Sequence, residues 1–340
     1  MYEDTKLYHI ANMSESADDA VTAVHCILVI VNIVGNTPVC VIILKNREMR
    51  ISINYLLLNL AVADMTFAVF LTPKFILSQT FTHPDGVAGK ALCRLLTGGT
   101  LGWLGGASSA FTLVVIAVER YFAVMYPLGN EGRLTKRKLQ VIIPGSWIFS
   151  LIITFPGFLV TNFDKKIESC GETFPDQWLA KAYSLTWILA TTAVPLALMV
   201  GLYSMVVYTL WFKRNDDNEL TYRQKGVMKV RKRVTLMLIT VSLIFGISWG
   251  KSSVSYVLKH FFSQNIGNVA ITNTMALFNS AVNPFVYALF NKQFREKLKE
   301  MMSCTFRSAS RIENITESEN TERPKTINRT TNGEVTLSSE

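Results

Sequence analysis

The chain has 340 residues, of which 49% are hydrophobic and only 17% are charged. Its mean hydropathy is positive, a balance that a soluble domain of this length would rarely show, which argues against a soluble enzyme or binding module. The formal net charge of +9 indicates attraction to anionic membrane lipid, and no feature of the sequence calls for a nucleic acid partner.

Taken in chain order, seven mainly apolar stretches are each long enough to cross the roughly 30 Å of hydrocarbon in a bilayer. They cover residues 20–44, 53–80, 93–125, 139–160, 181–212, 233–259 and 267–290. Each must be helical, because hydrocarbon offers the backbone no hydrogen-bond partner. The predicted fold class is an all-α membrane protein, a seven-transmembrane helix bundle with a short amphipathic helix after the seventh span.

Four parts of the chain follow from these spans. A polar N-terminal tail, 1–19, precedes the transmembrane domain, 20–290. A basic amphipathic segment, 291–304, comes next, and the Ser- and Thr-rich segment 305–340 is predicted to be disordered. No cleavable signal peptide is recognisable. Asn12, in the sequence Asn-Met-Ser, is a glycosylation acceptor if the tail lies outside the cell.

The distribution of lysine and arginine predicts the orientation. Alternate connections between the spans are basic, and basic connections stay on the cytoplasmic side. We therefore expect a multi-pass protein of the plasma membrane with its N-terminus outside. The basic residues are Lys45, Arg47, Arg50, Arg133, Lys136, Arg137, Lys138, Arg223, Lys225, Lys229, Arg231, Lys232 and Arg233.

The cysteines differ in their predicted environments. This orientation places Cys93 and Cys170 at the outer face, where oxidation is permitted, and predicts a disulfide between them. Cys304 lies inside on the basic segment, either palmitoylated or as a reduced thiol. Cys26 and Cys40, within the first span, are expected to be packing residues.

Few charged residues occur within the spans. Asp64 lies midway along the second span, where a carboxylate is either a structural hydrogen-bonding group or a site that handles an ion or a proton. Lys74 lies near the outer end of that span, and Glu119 and Arg120 lie near the inner end of the third. Lys251, within the sixth, needs a group that receives its charge.

Pro284 interrupts the backbone hydrogen bonding of the seventh span. It removes one donor, so the helix is expected to kink or unwind there. Asn279, Ser280 and Asn283 could satisfy the freed backbone groups. The sequence thus predicts a hinge with a polar lining.

One short motif occurs in each span, in a fixed order. The motifs are Gly-Asn at 35–36, LNLAVAD at 58–64, ERY at 119–121, Trp147, Pro195 with Tyr203, Phe245 with Trp249, and NPFVY at 283–287. Together they resemble the rhodopsin-like class of G-protein-coupled receptors over residues 20–304. The resemblance implies a receptor, not an enzyme, that binds an extracellular ligand and activates a heterotrimeric G protein. Membrane lipid, a receptor kinase and an arrestin-like protein recruited by the C-terminal tail are further implied partners.

The resemblance makes Arg120 the switch residue that turns toward the G protein, with Glu119 pairing it at rest. The sixth helix then swings outward and opens a cytoplasmic cleft. The residues implied in the switch are Glu119, Arg120, Tyr121, Tyr203, Asn283, Pro284 and Tyr287, and those implied in transmission are Pro195, Phe245 and Trp249.

A sodium ion in the bundle core is the one cofactor-like ligand that the resemblance implies. Oxygen ligands around a carboxylate suit a hard cation, and sodium is expected to favour the resting state over agonist binding. The matching residues are Asn36, Asp64, Ser109, Asn279, Ser280 and Asn283.

Three residues depart from the pattern of the class. Cys93 precedes Arg120 by more residues than usual, so either the third helix is irregular or the disulfide is displaced. Arg231 stands where many members carry an acid that clasps the switch arginine. Lys251 replaces a proline, and a helix turns by about 200° over two residues, so Lys251 should face away from the bundle if Trp249 faces it. Its charge then needs a carbonyl of a neighbouring helix, a buried water, loss of its proton or a ligand carboxylate.

Two positions narrow the range of possible ligand classes. Gly102 replaces the aspartate of amine receptors, and Leu277 replaces the lysine that binds retinal. A neuropeptide-type ligand is predicted, on a basic and aromatic rim near the outer ends of the spans. Rim residues of this kind also merely anchor helices at membrane interfaces. The rim includes Lys259 and His260, and the candidate ligand-binding residues are Lys74, Gly102, Trp103, Ser252, Ser253, Tyr256 and Asn273.

Other functions fit the sequence less well. A non-amine small molecule or a lipid is the alternative ligand. A transporter or channel that uses Asp64 and Lys251 as a charge pathway would be expected to show internal repeats, and none is recognisable. No metal-ligand cluster or nucleophile elbow in the sequence supports an enzyme.

Overall fold

The computed structural model describes residues 2–80, 83–84, 86–127, 134–164, 169–213, 222–262 and 269–303. These residues are predominantly helical, which confirms the predicted helical class. The helices are α1 (Tyr2–Lys45), α2 (Ser52–Thr80), α3 (Gly86–Leu92), α4 (Thr100–Met125), α5 (Lys136–Val160), α6 (Gln177–Ile188), α7 (Val194–Tyr208), α8 (Tyr222–Phe262) and α9 (Val269–Phe290). One hairpin, β1 (Thr161–Asp164) and β2 (Ser169–Glu172), lies between α5 and α6.

Six helical runs in the described part of the chain are long and apolar enough to cross a membrane. They are Asp19–Lys45, Ser52–Ile76, Gly86–Met125, Lys136–Val160, Gln177–Phe212 and Lys225–Phe262, and they match the first six predicted spans. The seventh predicted span corresponds to α9, which is a helix but is not among the six. Its apolar character is diluted by asparagines such as Asn273, Asn279 and Asn283.

The distribution of side chains is that of a membrane protein. Large apolar residues on α5 face outward, with Ile152 64% and Phe155 54% exposed, whereas Asn36 and Asp64 are completely buried. In hydrocarbon, apolar side chains are favoured on the outside of a helix bundle, and polar side chains are stable only inside the bundle with hydrogen-bond partners. The chain is therefore a multi-pass membrane protein.

Helix α4 lies at the centre of the bundle and packs against α2, α5 and α7. A buried polar contact fixes its place beside two of these helices. The Asn59 amide of α2 donates to Thr112 Oγ1 of α4 at 2.9 Å and to Ser146 Oγ of α5 at 3.2 Å. Trp147 Nε1 of α5 donates to Asn59 Oδ1 at 3.0 Å. Each of these buried polar groups thereby gains a partner.

The chain between α3 and α4 is irregular. Residues Cys93–Thr97 form a π-helical turn, and Gly99 adopts a φ of 75°, which favours glycine. The predicted disulfide between Cys93 and Cys170 is confirmed, with the two Cα atoms 5.7 Å apart. The extra residues before Arg120 are therefore accommodated by this turn, and the disulfide keeps its expected partners.

We call the end of the bundle that holds this disulfide the disulfide end, and the opposite end of α4 the Arg120 end. The hairpin lies at the disulfide end, where its antiparallel register pairs Phe163 with Cys170. Arg94 donates to the carbonyl oxygens of Leu159 at 3.0 Å and Thr161 at 3.2 Å. The hairpin is thus tied to the start of the third span by the disulfide and by Arg94.

Two helices are continuous through residues that bear on their expected shape, Pro284 and Lys251. Helix α9 continues through Pro284 from Val269 to Phe290, so the expected unwinding does not occur. Ser280 and Asn283, expected to satisfy freed backbone groups, instead donate to the carboxylate of Asp64. Helix α8 likewise continues through Lys251, whose side chain is exposed on the outside of the bundle.

The chain separates into two compact units, Met1–Arg295 and Glu296–Glu340. In the first, α1 begins at Tyr2, inside the predicted tail, and the backbone at 292–295 is helical. In the second, the described residues 296–303 are helical, and Lys297 Nζ lies 2.9 Å from Glu300 Oε2. Cys304, the segment 305–340 and the side chain of Asn12 lie outside what the structure describes, so the domain boundaries stay predictions.

Candidate functional site

Asp64 is the centre of a buried polar cluster in the bundle. Its Oδ1 accepts hydrogen bonds from Ser109 Oγ of α4 at 2.8 Å and from Ser280 Oγ of α9 at 2.9 Å. Its Oδ2 accepts from Asn283 Nδ2 of α9 at 2.7 Å. A buried carboxylate is tolerated only when donors surround it, so these bonds hold α2, α4 and α9 together.

Amide oxygens on α1 and α9 have no hydrogen-bond partner in the part of the chain that the structure describes. The Oδ1 atoms of Asn36, Asn279 and Asn283 are buried without a hydrogen bond in the described residues. Asn36 belongs to the same cluster, because its Nδ2 lies 3.3 Å from the Ser280 carbonyl oxygen. Carboxylate, hydroxyl and amide oxygens form a donor set that suits a hard cation. The six residues predicted for sodium thus carry the chemistry that the ion requires.

A group of aromatic residues lies between the Asp64 cluster and the disulfide end. We call Trp103 of α4, Trp187 of α6 and Trp249 of α8 the tryptophan cluster. The ring of Trp103 meets those of Trp187 and Trp249 edge to face, at centroid distances of 5.7 and 5.8 Å. Phe245 stacks on Trp249 at 5.6 Å. Edge-to-face and offset contacts of this kind stabilise aromatic packing.

Gly106 connects the tryptophan cluster to the Asp64 cluster. A Cβ atom at Gly106 would lie 2.7 Å from Cζ2 of Trp249, so the indole occupies space that only glycine leaves open. Gly106 and Ser109 are three residues apart on α4 and therefore share a face of the helix. A displacement of Trp249 would press on the same face that donates to Asp64.

The hairpin places a carboxylate over the disulfide end of the bundle. Glu172 Oε2, at the end of β2, accepts a hydrogen bond from Tyr256 Oη of α8 at 2.6 Å. His260 Nε2 lies 3.9 Å from the same oxygen, and the charges of Glu172 and Lys74 also interact. We call Lys74, Glu172, Tyr256 and His260 the charged rim. Tyr183 of α6 contacts Tyr256 edge to face at 6.4 Å.

The sequence indicates some of these residues and misses others. Lys74, Trp103 and Tyr256 are among the predicted ligand residues, whereas Glu172 and Trp187 are not. The only signal for Glu172 is its place two residues after Cys170, which the disulfide fixes to the start of the third span.

The remaining predicted ligand residues lie in different surroundings. Ser253 is buried and shares a hydrogen bond of 2.7 Å with Thr192, in the turn between α6 and α7. Asn273 is buried on α9, and Ser252 is half-buried on α8. Gly102 permits close approach of two helices, because a Cβ there would lie only 3.0 Å from the backbone nitrogen of α2 at position 71.

The Arg120 end contains the predicted switch residues. The Arg120 guanidinium pairs with the carboxylate of its neighbour Glu119. Tyr121 packs beside a buried apolar cluster on α4 and α7. Tyr203 and Tyr287 are both buried in the bundle.

The predicted transmission residue Pro195 lies at the start of α7. It is the second residue of this helix, which begins directly after a π-helical turn at Leu189–Ala193. Its missing backbone donor falls in the first turn of α7, where a proline is tolerated. Pro195 is buried, as are Phe245 and Trp249 of α8. All three transmission residues therefore lie inside the bundle.

The sequence pattern of the family described as "7 transmembrane receptor (rhodopsin family)" matches residues 35–287. The chain belongs to this family. The match extends from the Gly-Asn motif in α1 to the last residue of the NPFVY motif in α9, and so includes the Asp64 cluster, the tryptophan cluster and Arg120. The resemblance drawn from the motifs is confirmed.

Several rhodopsin-family receptors are similar to the chain over most of its length. A QRFP-like peptide receptor of Branchiostoma floridae is 23% identical over 312 residues, which cover 88% of this chain and 81% of the relative. Neuropeptide FF receptor 1 of Rattus norvegicus is 29% identical over 300 residues, covering 80% and 68%. The allatostatin-A receptor of Bombyx mori is 25% identical over 286 residues, covering 81% and 77%.

Proposed function

We propose that this rhodopsin-family receptor binds an extracellular peptide at its disulfide end and activates a heterotrimeric G protein at its Arg120 end. In this proposal the N-terminus lies outside the plasma membrane, and α9 is the seventh span. The observation that carries the ligand proposal is the charged rim above the tryptophan cluster. Similarity to receptors whose names specify peptides supports the same assignment.

The charged rim has the chemistry that a peptide requires. Glu172 offers a carboxylate to a basic group, Lys74 offers an ammonium to a carboxylate or carbonyl oxygen, and the tryptophan cluster offers aromatic contact. A peptide presents all three kinds of partner on one short segment. Basic rim residues alone would favour an acidic or amidated peptide end, and Glu172 adds a partner for a basic side chain.

Ligand binding at this rim would act on two helices at once. Tyr256 lies on α8 and Trp103 on α4, so a ligand that contacts both biases their relative position. From Tyr256, helix α8 continues through Trp249 toward the Arg120 end. Pro195 lies on the neighbouring α7. Outward movement of α8 would open the cleft that receives the G protein, with release of the pair that Arg120 forms with its neighbour.

Sodium is the proposed allosteric ligand of the Asp64 cluster. The buried amide oxygens without partners among the described residues support this assignment. When bound, sodium would supply a positive charge to the Asp64 carboxylate. Because the candidate ligands come from α1, α2, α4 and α9, the ion would stabilise the resting packing and oppose agonist binding.

The remaining assignments concern modification and partners. A receptor kinase and an arrestin-like protein would act on the C-terminal tail, 305–340, whose Ser and Thr residues are phosphate acceptors. Palmitoylation of Cys304 would add membrane affinity, and Asn12 would carry a glycan. These proposals rest on the sequence.

A G-protein activation assay with peptide fractions tests the ligand assignment. Cells that express the chain are treated with tissue fractions before and after protease digestion, and digestion is expected to abolish the response. Glu172→Gln should then raise the half-maximal agonist concentration by about 10-fold or more, because a charge-assisted hydrogen bond is lost. Asp176→Asn, an exposed acid at the start of α6, is the matched control.

Two outcomes would contradict the peptide assignment. A response that survives digestion would indicate a small molecule or a lipid. If the Glu172 and Asp176 variants raised the half-maximal agonist concentration equally, the ligand would be attracted by general surface charge and would make no specific contact at the charged rim.

A further inference from the structure

A cavity of about 440 Å³ opens at the Arg120 end, between the start of α2, the end of α4, the start of α5 and the side of α8. Its volume lies within the range of sites that bind small ligands. Four cationic side chains line it: Arg50, Arg120, Lys136 and Arg231. Among the described lining residues the one acidic side chain is Glu119.

Positive charge predominates in the lining of this cavity. Glu119 pairs with Arg120, so the charges of these two residues cancel. Arg50, Lys136 and Arg231 add further positive charge from three separate segments of the chain. Like charges that face one cavity repel each other, and an anion between them relieves this repulsion. Arginine forks bind the oxygens of a phosphate with good geometry.

The position of the cavity indicates where such an anion comes from. Ser52 and Lys136, which line it, are the first residues of two membrane-spanning runs, and Tyr126 directly follows the last residue of a third. The cavity thus lies at the level where the chain leaves the hydrocarbon. Lipid phosphates lie at this level, and basic residues there attract anionic headgroups.

We propose that this cavity binds the phosphomonoester headgroup of an anionic lipid. The bound phosphate contacts Arg231 of α8 together with Arg50 and Lys136 beside α2 and α5. It thereby links α8 to the part of the bundle from which α8 moves away on activation. Bound lipid consequently lowers basal G-protein activation, a consequence that rests on the proposed function.

A binding experiment tests the site without reference to signalling. The full chain is reconstituted in phosphatidylcholine nanodiscs, and binding of a fluorescent phosphatidylinositol phosphate is measured. Arg231→Gln and Arg50→Gln should each weaken binding by about 10-fold or more, since each removes a charge-assisted contact. Arg233→Gln, an exposed arginine of α8 outside the cavity lining, is the matched control and should bind as the unchanged chain does.

Competition identifies the source of the phosphate. Phosphatidylserine, added to the same total lipid charge, should not displace the fluorescent phosphatidylinositol phosphate. Soluble inositol phosphate and inorganic phosphate should compete with it only weakly. Equal competition by the soluble anions would overturn the lipid assignment. Absence of binding, or equal weakening by the Arg233 and Arg231 variants, would overturn the site.

A second measurement tests the link between helices. Basal nucleotide exchange on the G protein should fall when the phosphoinositide is added and should be restored by Arg231→Gln. Binding without an effect on exchange would overturn the link. Absence of nucleotide exchange on the G protein in every lipid would instead contradict the proposed function. The binding of the fluorescent lipid would still decide whether the cavity is a lipid site.

Discussion

At the scale of single residues, Asp64 decides how the bundle interior is held together. Its carboxylate receives donors from two other helices, while the amide oxygens of Asn36, Asn279 and Asn283 are buried with no partner among the described residues. Donors alone would satisfy the carboxylate, but they leave those amide oxygens buried at a cost of about 1–3 kcal/mol each. A cation would satisfy both kinds of group, which supports the proposal that this cluster binds sodium.

Asp64→Asn should remove the effect of sodium on agonist binding. The amide lacks the negative charge that attracts the ion, so agonist affinity should no longer fall when sodium replaces a large organic cation. Couplings of this kind are typically about 5- to 150-fold, and radioligand competition measures them. Ser204→Ala, which removes an exposed hydroxyl on α7, is the control. A sodium effect that persists in Asp64→Asn would contradict the assignment.

The residues of the Asp64 cluster could be predicted because Asn36, Asp64 and Asn283 belong to recognisable motifs, and the resemblance to the family that these motifs carry implies the others. Glu172 and Trp187 could not, since no local pattern brings them to the proposed ligand site. Glu172 reaches Tyr256 only through the register of the hairpin and the disulfide, and Trp187 reaches Trp103 only through the packing of α6. Contacts between distant segments depend on tertiary packing.

At the scale of elements, α8 carries a cation on its outer face. Lys251 is exposed between Ile247 and Val254, which are 68% and 46% exposed, so the ammonium lies among side chains suited to lipid. The helical spacing from Trp249 predicts this orientation. A lysine near the centre of a span costs about 2.5–3.5 kcal/mol of insertion free energy.

Lys251→Leu should therefore raise the stability of the folded receptor in the membrane. The change removes a charge from an apolar face and keeps the helix intact. The measurement is the temperature at which the detergent-purified receptor loses half of its ligand binding, with Lys229→Leu, an exposed lysine near the start of α8, as the control. A lower temperature for Lys251→Leu would mean that the ammonium has a stabilising partner.

Helix ends and irregularities differ in how far the sequence predicts them. The apolar spans predict most helix positions to within a few residues, and the spacing of Cys93 from Arg120 indicates an irregular third span. The π-helical turn at Leu189–Ala193 has no such signal, because one extra residue in an uncharged and mainly apolar segment leaves the hydrophobic pattern unchanged. Pro284 predicts a kink or unwinding of α9, and the helix is continuous through it, so it does not unwind.

At the scale of the whole molecule, the disulfide joins segments that are 77 residues apart. It fixes the hairpin, and with it Glu172, to the start of the third span. A crosslink across a loop of this length restricts the unfolded chain and typically contributes about 2–4 kcal/mol. The motifs predict the order of the helices, whereas this crosslink holds a loop residue, Glu172, at the proposed ligand site.

Replacing both Cys93 and Cys170 by alanine should lower both stability and agonist potency. Stability falls because the unfolded state gains conformational freedom, and potency falls because Glu172 is no longer held beside Tyr256. Thermal inactivation and G-protein activation measure the two effects, with a Cys26→Ala, Cys40→Ala double variant as the control for replacing two cysteines without loss of a disulfide. Reduced stability with unchanged potency would show that the hairpin is held by other contacts, such as those of Arg94, and that the disulfide contributes nothing to the geometry of the charged rim.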